Sequence, residues 1–352
     1  MKQLFPFLLA ALFLVSGSRT APAQQFQLLK KTTIGGDGGW DFMTIDAERR
    51  HLFIAHSTQV EVYDLEKDSV IHHILNTEGV HGIAVASAEG HGFISCGKSN
   101  TVLMFDLNTF DTLRRIPVGT KPDAIIYDPY SKHIFVMNAD SHDISVLDAT
   151  NGSVESTIKL SGAPEFAVSD EQGKVFVNLE DKSAIVRIDS KKNTVTATWP
   201  VAPGKAPTGI AMHIYSHTLF IACANEKVVL MDSRTGKVMT SVEIGKGVDA
   251  IVYDTAAGHG QQFPGFAISS NGDGTATVIG APSDDWYQAE EFETITTARG
   301  ARTLALDPKT ENLYFVTAEL AQAPIATTQD PHPRPPIMPG TFMVLKYGRV
   351  RK

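Results

Sequence analysis

The sequence predicts an all-β protein, a seven-bladed β-propeller with four strands in each blade. The first observation behind this prediction is a hydrophobic strand that ends on aspartate and recurs five times along the chain. The intervals between these aspartates are 42, 42, 41 and 43 residues, a period that is typical of propeller blades. The five residues are Asp64, Asp106, Asp148, Asp189 and Asp232.

The second observation is an aromatic strand that follows a short polar turn and sets the number of blades at seven. These segments are rich in β-branched residues, and the chain contains no convincing helical period. The seven copies are LFIAH at 52–56, GFISC at 92–96, IFVMN at 134–138, VFVNL at 175–179, LFIAC at 219–223, GFAIS at 265–269 and LYFVTA at 313–318.

The two ends of the repeat array indicate how the ring closes. The seventh unit supplies only three strands, the last of them at 341–348. The segment FQLLKKTTIG at 26–35 has the pattern of a missing fourth, outermost strand. We expect this N-terminal strand to close the last blade, because pairing there removes an exposed sheet edge.

Two segments interrupt the repeat period. The sixth unit carries an apparent insertion at 283–300, and the seventh carries a Pro-rich loop insertion at 321–340. Loops that grow out of a repeat array often carry function, and they are also tolerated as plain surface insertions. The sequence leaves both interpretations open.

The N-terminal segment 1–23 predicts a cleavable signal peptide. A positively charged start precedes an apolar run at 4–15, and the small residues at 21–23 suit cleavage after Ala23. The remaining residues 24–352 are expected to form a single propeller domain, periplasmic or secreted. No stretch approaches the ~20 apolar residues of a membrane span, and we expect a monomer.

The charge balance argues against a nucleic-acid partner. The formal net charge is −8 at pH 7, whereas nucleic-acid binders usually present a basic surface. The sequence also lacks the motifs for haem attachment, for a nucleotide phosphate loop, for a zinc protease and for a serine nucleophile elbow. Any chemistry therefore has to come from residues that the repeats bring together.

The units resemble the YVTN-type β-propeller repeat family. IFVMN, LFIAC and LYFVT stand where that family has its Tyr-Val-Thr-Asn phrase, and KPDAIIYDP and DSRTGKV resemble its other segments. Over nearly all of its mature length the chain is similar to exported YncE-like proteins. The resemblance implies a seven-bladed exported propeller, and it assigns no biochemical role.

The recurring aspartates are predicted to be structural. Those that end the third strand of a blade begin turns, and a second set opens the first hairpin of a blade. Aspartate suits both places because its carboxylate accepts hydrogen bonds from backbone N–H groups of the turn. The second set is Asp46, Asp128, Asp170, Asp254 and Asp307.

Another column of residues changes from blade to blade. It lies five residues before the end of each first strand, so we expect it to precede the innermost strand and to surround one mouth of the central channel. Six of its seven members are ionisable. They are Asp41, His81, Asp123, Glu165, Thr208, Asp249 and Arg302.

Loops between the second and third strands are expected to lie on this same face. Together with the column they form an acidic funnel, in which close carboxylates should raise one another's pKa values. Arg299 and Arg302 form a small cationic spot that suits a bound carboxylate or phosphate, but pairing with a neighbouring acid, Asp41 or Asp249, is the favoured interpretation. The further candidate ligand-binding residues in these loops are His142, Glu180, Asn225, Asp273 and Glu319.

These residues lead to three hypotheses for function. The first is binding of a small ligand or a protein partner at the acidic channel mouth, and the second is a metal-assisted hydrolase or lyase of the lactonase kind. For the enzyme, the candidate groups are His81, Asp123, Glu165 and Asp249, and a divalent metal ion is the one cofactor they suggest. The third is a protein-interaction platform at the blade edges or the Pro-rich loop. A mouth that is polar only because water fills it remains the plain alternative.

Overall fold

The computed structural model describes residues 26–255, 265–282, 285–325 and 333–350. Within these residues, 28 strands form seven antiparallel sheets of four strands each, which confirms the predicted seven-bladed β-propeller. The proposed signal peptide at 1–23 lies outside the described residues. None of the helical segments in the described ranges has the length and apolar character needed to cross a bilayer.

The first four blades follow one another along the chain. Blade one contains β2 (Trp40–Asp46), β3 (His51–His56), β4 (Gln59–Asp64) and β5 (Ser69–Ile74). Blade two contains β6 (Val80–Ala86), β7 (His91–Cys96), β8 (Thr101–Asp106) and β9 (Thr112–Pro117). Blade three contains β10 (Pro122–Asp128), β11 (His133–Asn138), β12 (Asp143–Asp148) and β13 (Val154–Lys159). Blade four contains β14 (Pro164–Ser169), β15 (Lys174–Leu179), β16 (Ala184–Asp189) and β17 (Thr194–Pro200).

The last three blades include the point where the two chain ends meet. Blade five contains β18 (Pro207–His213), β19 (Thr218–Cys223), β20 (Lys227–Asp232) and β21 (Val238–Glu243). Blade six contains β22 (Val248–Asp254), β23 (Phe266–Asn271), β24 (Thr275–Gly280) and β25 (Glu290–Thr296). Blade seven contains β26 (Leu304–Leu306), β27 (Leu313–Thr317), β28 (Met343–Arg349) and the N-terminal β1 (Phe26–Thr33). Short 3-10 turns lie at Ser87–Glu89, Glu180–Lys182 and Trp286–Gln288.

The first strand of each blade is the innermost one. Each first strand contacts the first strand of the next blade, and β26 of blade seven contacts β2 of blade one. The ring of sheets is therefore closed around a central channel lined by seven inner strands.

Closure of the last blade follows the sequence prediction. β1 pairs antiparallel with β28, with Phe26 opposite Arg349 and Thr33 opposite Met343. The strand order in this sheet is β1, β28, β27, β26. The N-terminal strand thus covers the outer edge of β28, which would otherwise present unpaired backbone groups.

The aromatic residue of the second strand forms the core between blades. Every copy is at most 1% exposed, because this strand is covered on both faces by the neighbouring sheets. Burial of so many rings supplies a large part of the hydrophobic stabilisation. Six of them, each the third residue of its strand, are Phe53, Phe93, Phe135, Phe176, Phe220 and Phe315, and the seventh is Phe266, the first residue of β23, which lies opposite Asp254.

The recurring aspartates hold turns, as predicted. Asp106 Oδ1 accepts hydrogen bonds from the backbone N–H groups of Asn108 and Thr109, at 2.7 and 2.9 Å. Asp307 Oδ1 likewise accepts the backbone N–H of Lys309 at 3.1 Å. In a four-stranded antiparallel blade these turns lie on the face opposite to the start of the inner strand.

The predicted insertion at 283–300 in blade six is corrected in part by the structure. Its residues Glu290–Thr296 are the regular fourth strand of the blade, β25. Extra length lies in the link 281–289 between β24 and β25, where blade one has only 65–68, and at 255–265 between β22 and β23, where blade one has only 47–50. The Pro-rich segment 321–340 does join β27 to β28, as predicted.

Candidate functional site

The variable column forms a ring at one mouth of the channel; the term "the ring" is used below for its seven residues. Six of them are the second residue of an innermost strand, whereas the sequence interpretation placed the column before that strand. Only Arg302 precedes its strand, because β26 is short. The members are Asp41, His81, Asp123, Glu165, Thr208, Asp249 and Arg302.

A β-bulge at the ring position explains how side chains within a strand can turn towards the channel. In blade three, Pro122 lies opposite Asn138 and Ile125 lies opposite Val136, so two residues face one on β11. A bulge of this kind bends the strand and re-aims the extra side chain. The same irregularity follows the first residue of β2, β6, β14, β18 and β22.

Three consecutive ring residues meet at one point. His81 Nδ1 lies 2.7 Å from Asp41 Oδ2 and 3.6 Å from Asp123 Oδ1. One ligand atom from each residue lies within 4.8 Å of the other two. Two ligands that are each about 2.0–2.6 Å from one metal ion are at most about 5 Å apart, so this spacing is compatible with a shared ion.

The imidazole of His81 lies close to Gly97, in the loop that follows β7 of the same blade. A side chain at Gly97 would place its Cβ 2.9 Å from both Cδ2 and Nε2 of His81, so glycine there leaves room for the ring. Burial by itself lowers the pKa of His81, but the hydrogen bond to Asp41 and the charge of Asp123 outweigh it and raise that pKa. The protonated form is therefore favoured while both carboxylates are ionised.

The carboxyl group of Glu165 has a strongly raised pKa. Burial, followed by the charges of Asp123, Glu180 and Asp249, raises the pKa of Glu165 to about 9. Within the described residues its carboxyl group has no hydrogen-bond or ion-pair partner. The side chain is consequently a neutral carboxylic acid at pH 7, able to donate a proton.

The opposite side of the ring contains an ion pair. Arg302 Nε lies 2.8 Å from Asp249 Oδ2, which confirms the predicted pairing, and Arg302 Nη2 donates to the Trp40 carbonyl oxygen at 3.3 Å. Burial raises the pKa of Asp249 to about 6, although Arg302 lowers it. Burial is also the main cause of the raised pKa values of Asp41 and Asp123.

Thr208 differs from the other ring residues because its hydroxyl group is already bonded. The side chain is buried, and Oγ1 donates to the Val248 carbonyl oxygen of the next blade at 3.1 Å. This contact joins blades five and six. Thr208 therefore acts as packing between inner strands in this arrangement.

The five predicted loop residues differ in the groups that they contact. Glu180 is exposed, and its charge reaches Glu165 and Asp123. Asn225 Oδ1 accepts the Lys205 N–H at 2.7 Å, which ties two loops of blade five together.

The other three predicted loop residues contact groups that do not belong to the ring. Asp273 Oδ2 accepts the Lys246 N–H at 2.8 Å in the equivalent contact of blade six. His142 is exposed near Asp181, and Glu319 Oε1 lies 4.0 Å from Lys31 Nζ of the outermost strand.

Hydroxyl groups that the sequence interpretation missed hold the ring backbone. Ser95 Oγ donates to the Asp123 carbonyl oxygen at 2.5 Å, and Thr303 Oγ1 donates to the Asp41 carbonyl oxygen at 3.1 Å. Ser270 Oγ donates to the Arg302 carbonyl oxygen in the same way. The available signal was a serine at the penultimate position of the second strand, Ser95 in β7 and Ser270 in β23.

Asn178 occupies this penultimate position in β15. Its side chain is fully buried, yet neither amide atom has a hydrogen-bond partner among the described residues. A buried amide normally finds a partner in protein, water or ligand. Asn178 and Glu165 therefore both belong to blade four, in β15 and β14.

A cavity of about 660 Å³ opens beside the ring, between blades six, seven and one. Its basic lining consists of Lys246, Arg299, Arg302 and Arg334. Trp40 forms part of the wall, packs on Phe342 with ring centroids 5.7 Å apart, and donates its indole N–H to the Gly300 carbonyl oxygen. The mouth of the channel thus combines an acidic ring with a basic cavity.

Comparison of the chain with protein-family profiles finds no match, and comparison with curated proteins also finds none. The function therefore has to be argued from the chemistry of the channel mouth.

Proposed function

We propose that the protein binds a cation at the ring, either a divalent metal ion or the cationic group of a small molecule. The observation that carries this proposal is that carboxyl groups outnumber basic side chains within the ring. The cations of the ring are His81 and Arg302. The carboxylates are Asp41, Asp123, Glu165 and Asp249.

The raised pKa values supply the physical reason. A buried carboxylate surrounded by like charges takes up a proton because it lacks a better counter-charge. A cation that enters the ring would offset both the burial and the repulsion, so it would release protons and return the carboxylates to their ionised form. Proton uptake and cation binding therefore compete for the same groups.

For a metal ion, the best ligands are Asp41, His81 and Asp123. An imidazole with carboxylates suits Mn²⁺, Fe²⁺ or Zn²⁺ better than Ca²⁺ or Mg²⁺, which prefer oxygen ligands alone. His81 Nδ1 faces both carboxylates, so a proton and a metal ion would compete for that nitrogen. Affinity should consequently rise with pH.

The first experiment measures thermal unfolding and calorimetric titration with Mn²⁺, Zn²⁺, Ca²⁺, choline and spermidine as probes. At about one hundred times its Kd, a bound probe stabilises the fold by about 2.7 kcal/mol. We expect this stabilisation in the wild type and its loss in His81→Gln and Asp123→Asn.

The matched control is Asp140→Asn, which removes an exposed carboxylate whose one ion pair among the described residues is with Lys121, at 3.9 Å. This variant should keep the full response. A wild type that responds to no probe, or a response that survives both ring substitutions, would contradict the proposal.

The second candidate function is a metal-assisted hydrolase or lyase, and the proton on Glu165 favours it. A bound ion would act as a Lewis acid, while Glu165 would hold a proton for a leaving group near neutral pH. We expect Glu165→Gln to retain the bound ion and to lose at least about a hundredfold in turnover, the usual size of a general-acid contribution.

The test is a panel of lactones and esters assayed with the ion-loaded protein. Turnover that depends on both the ion and Glu165 would support the enzyme. If the protein binds the ion but turns over no member of the panel, the enzyme hypothesis is rejected and only the binding role stands.

We propose further that the protein is exported and belongs among YVTN-type propellers. Both statements rest on the sequence: the signal-like segment 1–23 and the repeat phrases. Mass spectrometry of the protein from its native cell is expected to give Gln24 as the first residue. An intact N-terminus starting at Met1 would overturn the export proposal.

A further inference from the structure

The cavity beside the ring has the opposite electrostatic character to the ring itself. Among its described lining residues Asp273 is the one acid, and its carboxylate is already bonded to the Lys246 backbone N–H and to the Thr275 hydroxyl group, at 2.8 and 2.7 Å. In the part of the chain that the structure describes, the side chains of Lys246, Arg299 and Arg334 form no ion pair. The cavity therefore presents cationic groups without anionic partners.

Arg302 separates the two regions. Its Nε lies 2.8 Å from Asp249 Oδ2 of the ring, and the residue also lines the cavity. Arg302 therefore belongs to both regions. The potential changes from acidic to basic across this single ion pair.

The Pro-rich insertion builds one wall of the cavity. Its two ends are joined by a bridge between Leu320 and Ile337 and by a hydrogen bond from Ala321 N to Pro336 O at 2.8 Å. Leu320, Pro335 and Ile337 then form apolar lining together with Trp40. The insertion thus adds an apolar surface next to the cationic groups.

We propose that this cavity binds an organic anion, a carboxylate or phosphate carried on an apolar body. Guanidinium and ammonium groups bind both anions with charge-assisted hydrogen bonds, and arginine does so in a bidentate manner. A volume of about 660 Å³ is that of a small-molecule site, in which an apolar wall and a few polar groups fix the ligand. This site goes beyond the cation site of the ring, and its ligand has the opposite charge.

The experiment compares two pairs of probes by calorimetric titration: phenyl phosphate with inorganic phosphate, and benzoate with acetate. We expect the aromatic member of each pair to bind about tenfold more tightly, because the phenyl group removes apolar surface from water. Binding should weaken with added salt, since the attraction is electrostatic. The stronger pair identifies the anionic group as phosphate or carboxylate.

The test variant is Lys246→Gln with Arg299→Gln, which removes two exposed cations without touching the ring or the core. It should weaken binding of the aromatic anions at least about tenfold. Its matched control is Lys192→Gln with Lys309→Gln, two exposed lysines in turns on the opposite face, and this control should bind as the wild type does.

Two results would overturn the inference. One is that no probe binds to the wild type at millimolar concentration, and the other is that the test variant binds as tightly as the control. Because the ring is probed with cations and the cavity with anions, a negative result for one site does not count against the proposal for the other.

Discussion

The two faces of this propeller use the same acidic side chains in opposite ways. On the turn face, burial raises the pKa of Asp232, but hydrogen bonds from Arg234 and from backbone N–H groups outweigh it and lower that pKa to about 2. On the ring face, burial and neighbouring carboxylates raise the pKa of Glu165 to about 9. Partners, and not the residue type, decide the sign of the shift.

This difference distinguishes the aspartates that stabilise the fold from the carboxyl groups that are candidates for ligand binding. An aspartate that recurs at the turn of several blades is satisfied by its own turn, so it stabilises the protein at neutral pH. Among the described residues, the carboxyl group of Glu165 in the ring has no such partner, so its ionisation costs stability unless a cation arrives. We interpret this cost as the mark of a binding site, since functional sites commonly hold groups that the fold alone does not satisfy.

The largest expected effect is on the turn face, for Asp307→Ala. Two nitrogens of Arg50 donate to the two carboxylate oxygens of Asp307 at 2.7 and 2.6 Å, and the carboxylate is fully buried. Its removal leaves a mostly buried guanidinium without its partner, which costs about 3 kcal/mol of unfolding free energy. Urea unfolding measures the loss.

The control for this prediction is Asp170→Ala, a turn aspartate that accepts only backbone hydrogen bonds and is worth about 1 kcal/mol. An Asp307→Ala variant within 0.5 kcal/mol of the wild type, a margin of about the size expected for neutral surface changes, would break the comparison between the two faces.

The second-largest effect is expected for Glu165→Gln, and it is a gain in unfolding free energy where Asp307→Ala gives a loss. The pKa of Glu165 rises from 4.5 to about 9 on folding, so the folded state holds a proton that the unfolded state has lost between those pH values. Stability from this group is complete below pH 4.5 and falls as the pH rises towards 9. Glu165→Gln removes that slope and should be about 2 kcal/mol more stable than the wild type at pH 8.

Thermal or urea unfolding of both proteins at pH 4, 6 and 8 checks this expectation. The two proteins should be equally stable at pH 4 and diverge above it. A Gln variant that is less stable at pH 8 would mean that the Glu165 carboxylate is satisfied.

A smaller effect is expected for Asp232→Asn on the turn face. The pKa of Asp232 is lowered from 3.8 to about 2, so its contribution is present above pH 3.8 and is lost as the pH falls through 2. The wild type should exceed the variant by about 1 kcal/mol at pH 6, after allowance for the exposed Arg234. If acid unfolding curves keep the same separation from pH 6 down to pH 2, the carboxylate charge is not the cause.

The smallest effect is expected for Glu319→Gln at the edge of the ring face. Glu319 and Lys31 form a solvent-exposed pair at 4.0 Å, and pairs of this kind contribute less than about 1 kcal/mol. Unfolding free energy should change by less than about 0.5 kcal/mol, with cation affinity unchanged. A tenfold loss of cation affinity would extend the ring to this loop.

The sequence predicted the parts of the molecule that repeat. The period between aspartates such as Asp64 and Asp106 sets the blade, and the aromatic strands count the blades. The same period also assigned the variable column to the channel mouth. Closure by the N-terminal strand followed from the seventh unit, which had one strand too few.

Features that depend on contacts between blades were not predictable in this way. The outer strand β25 was taken for an insertion because both its faces are largely exposed, so it lacks the alternating pattern of a half-buried strand. The hydroxyl of Ser95 on the Asp123 backbone and the basic cavity between blades six, seven and one both depend on neighbouring blades. No single segment contains that information.

The most direct test of the central claim is a carboxyl NMR titration of Glu165 and Asp232 in the same sample, without and with a divalent ion. We expect Glu165 to titrate near pH 9 and Asp232 near pH 2, and the ion to lower only the pKa of Glu165. If both carboxyl groups titrate near pH 4 and neither responds to the ion, the ring is an ordinary solvated surface and the proposed cation site is wrong.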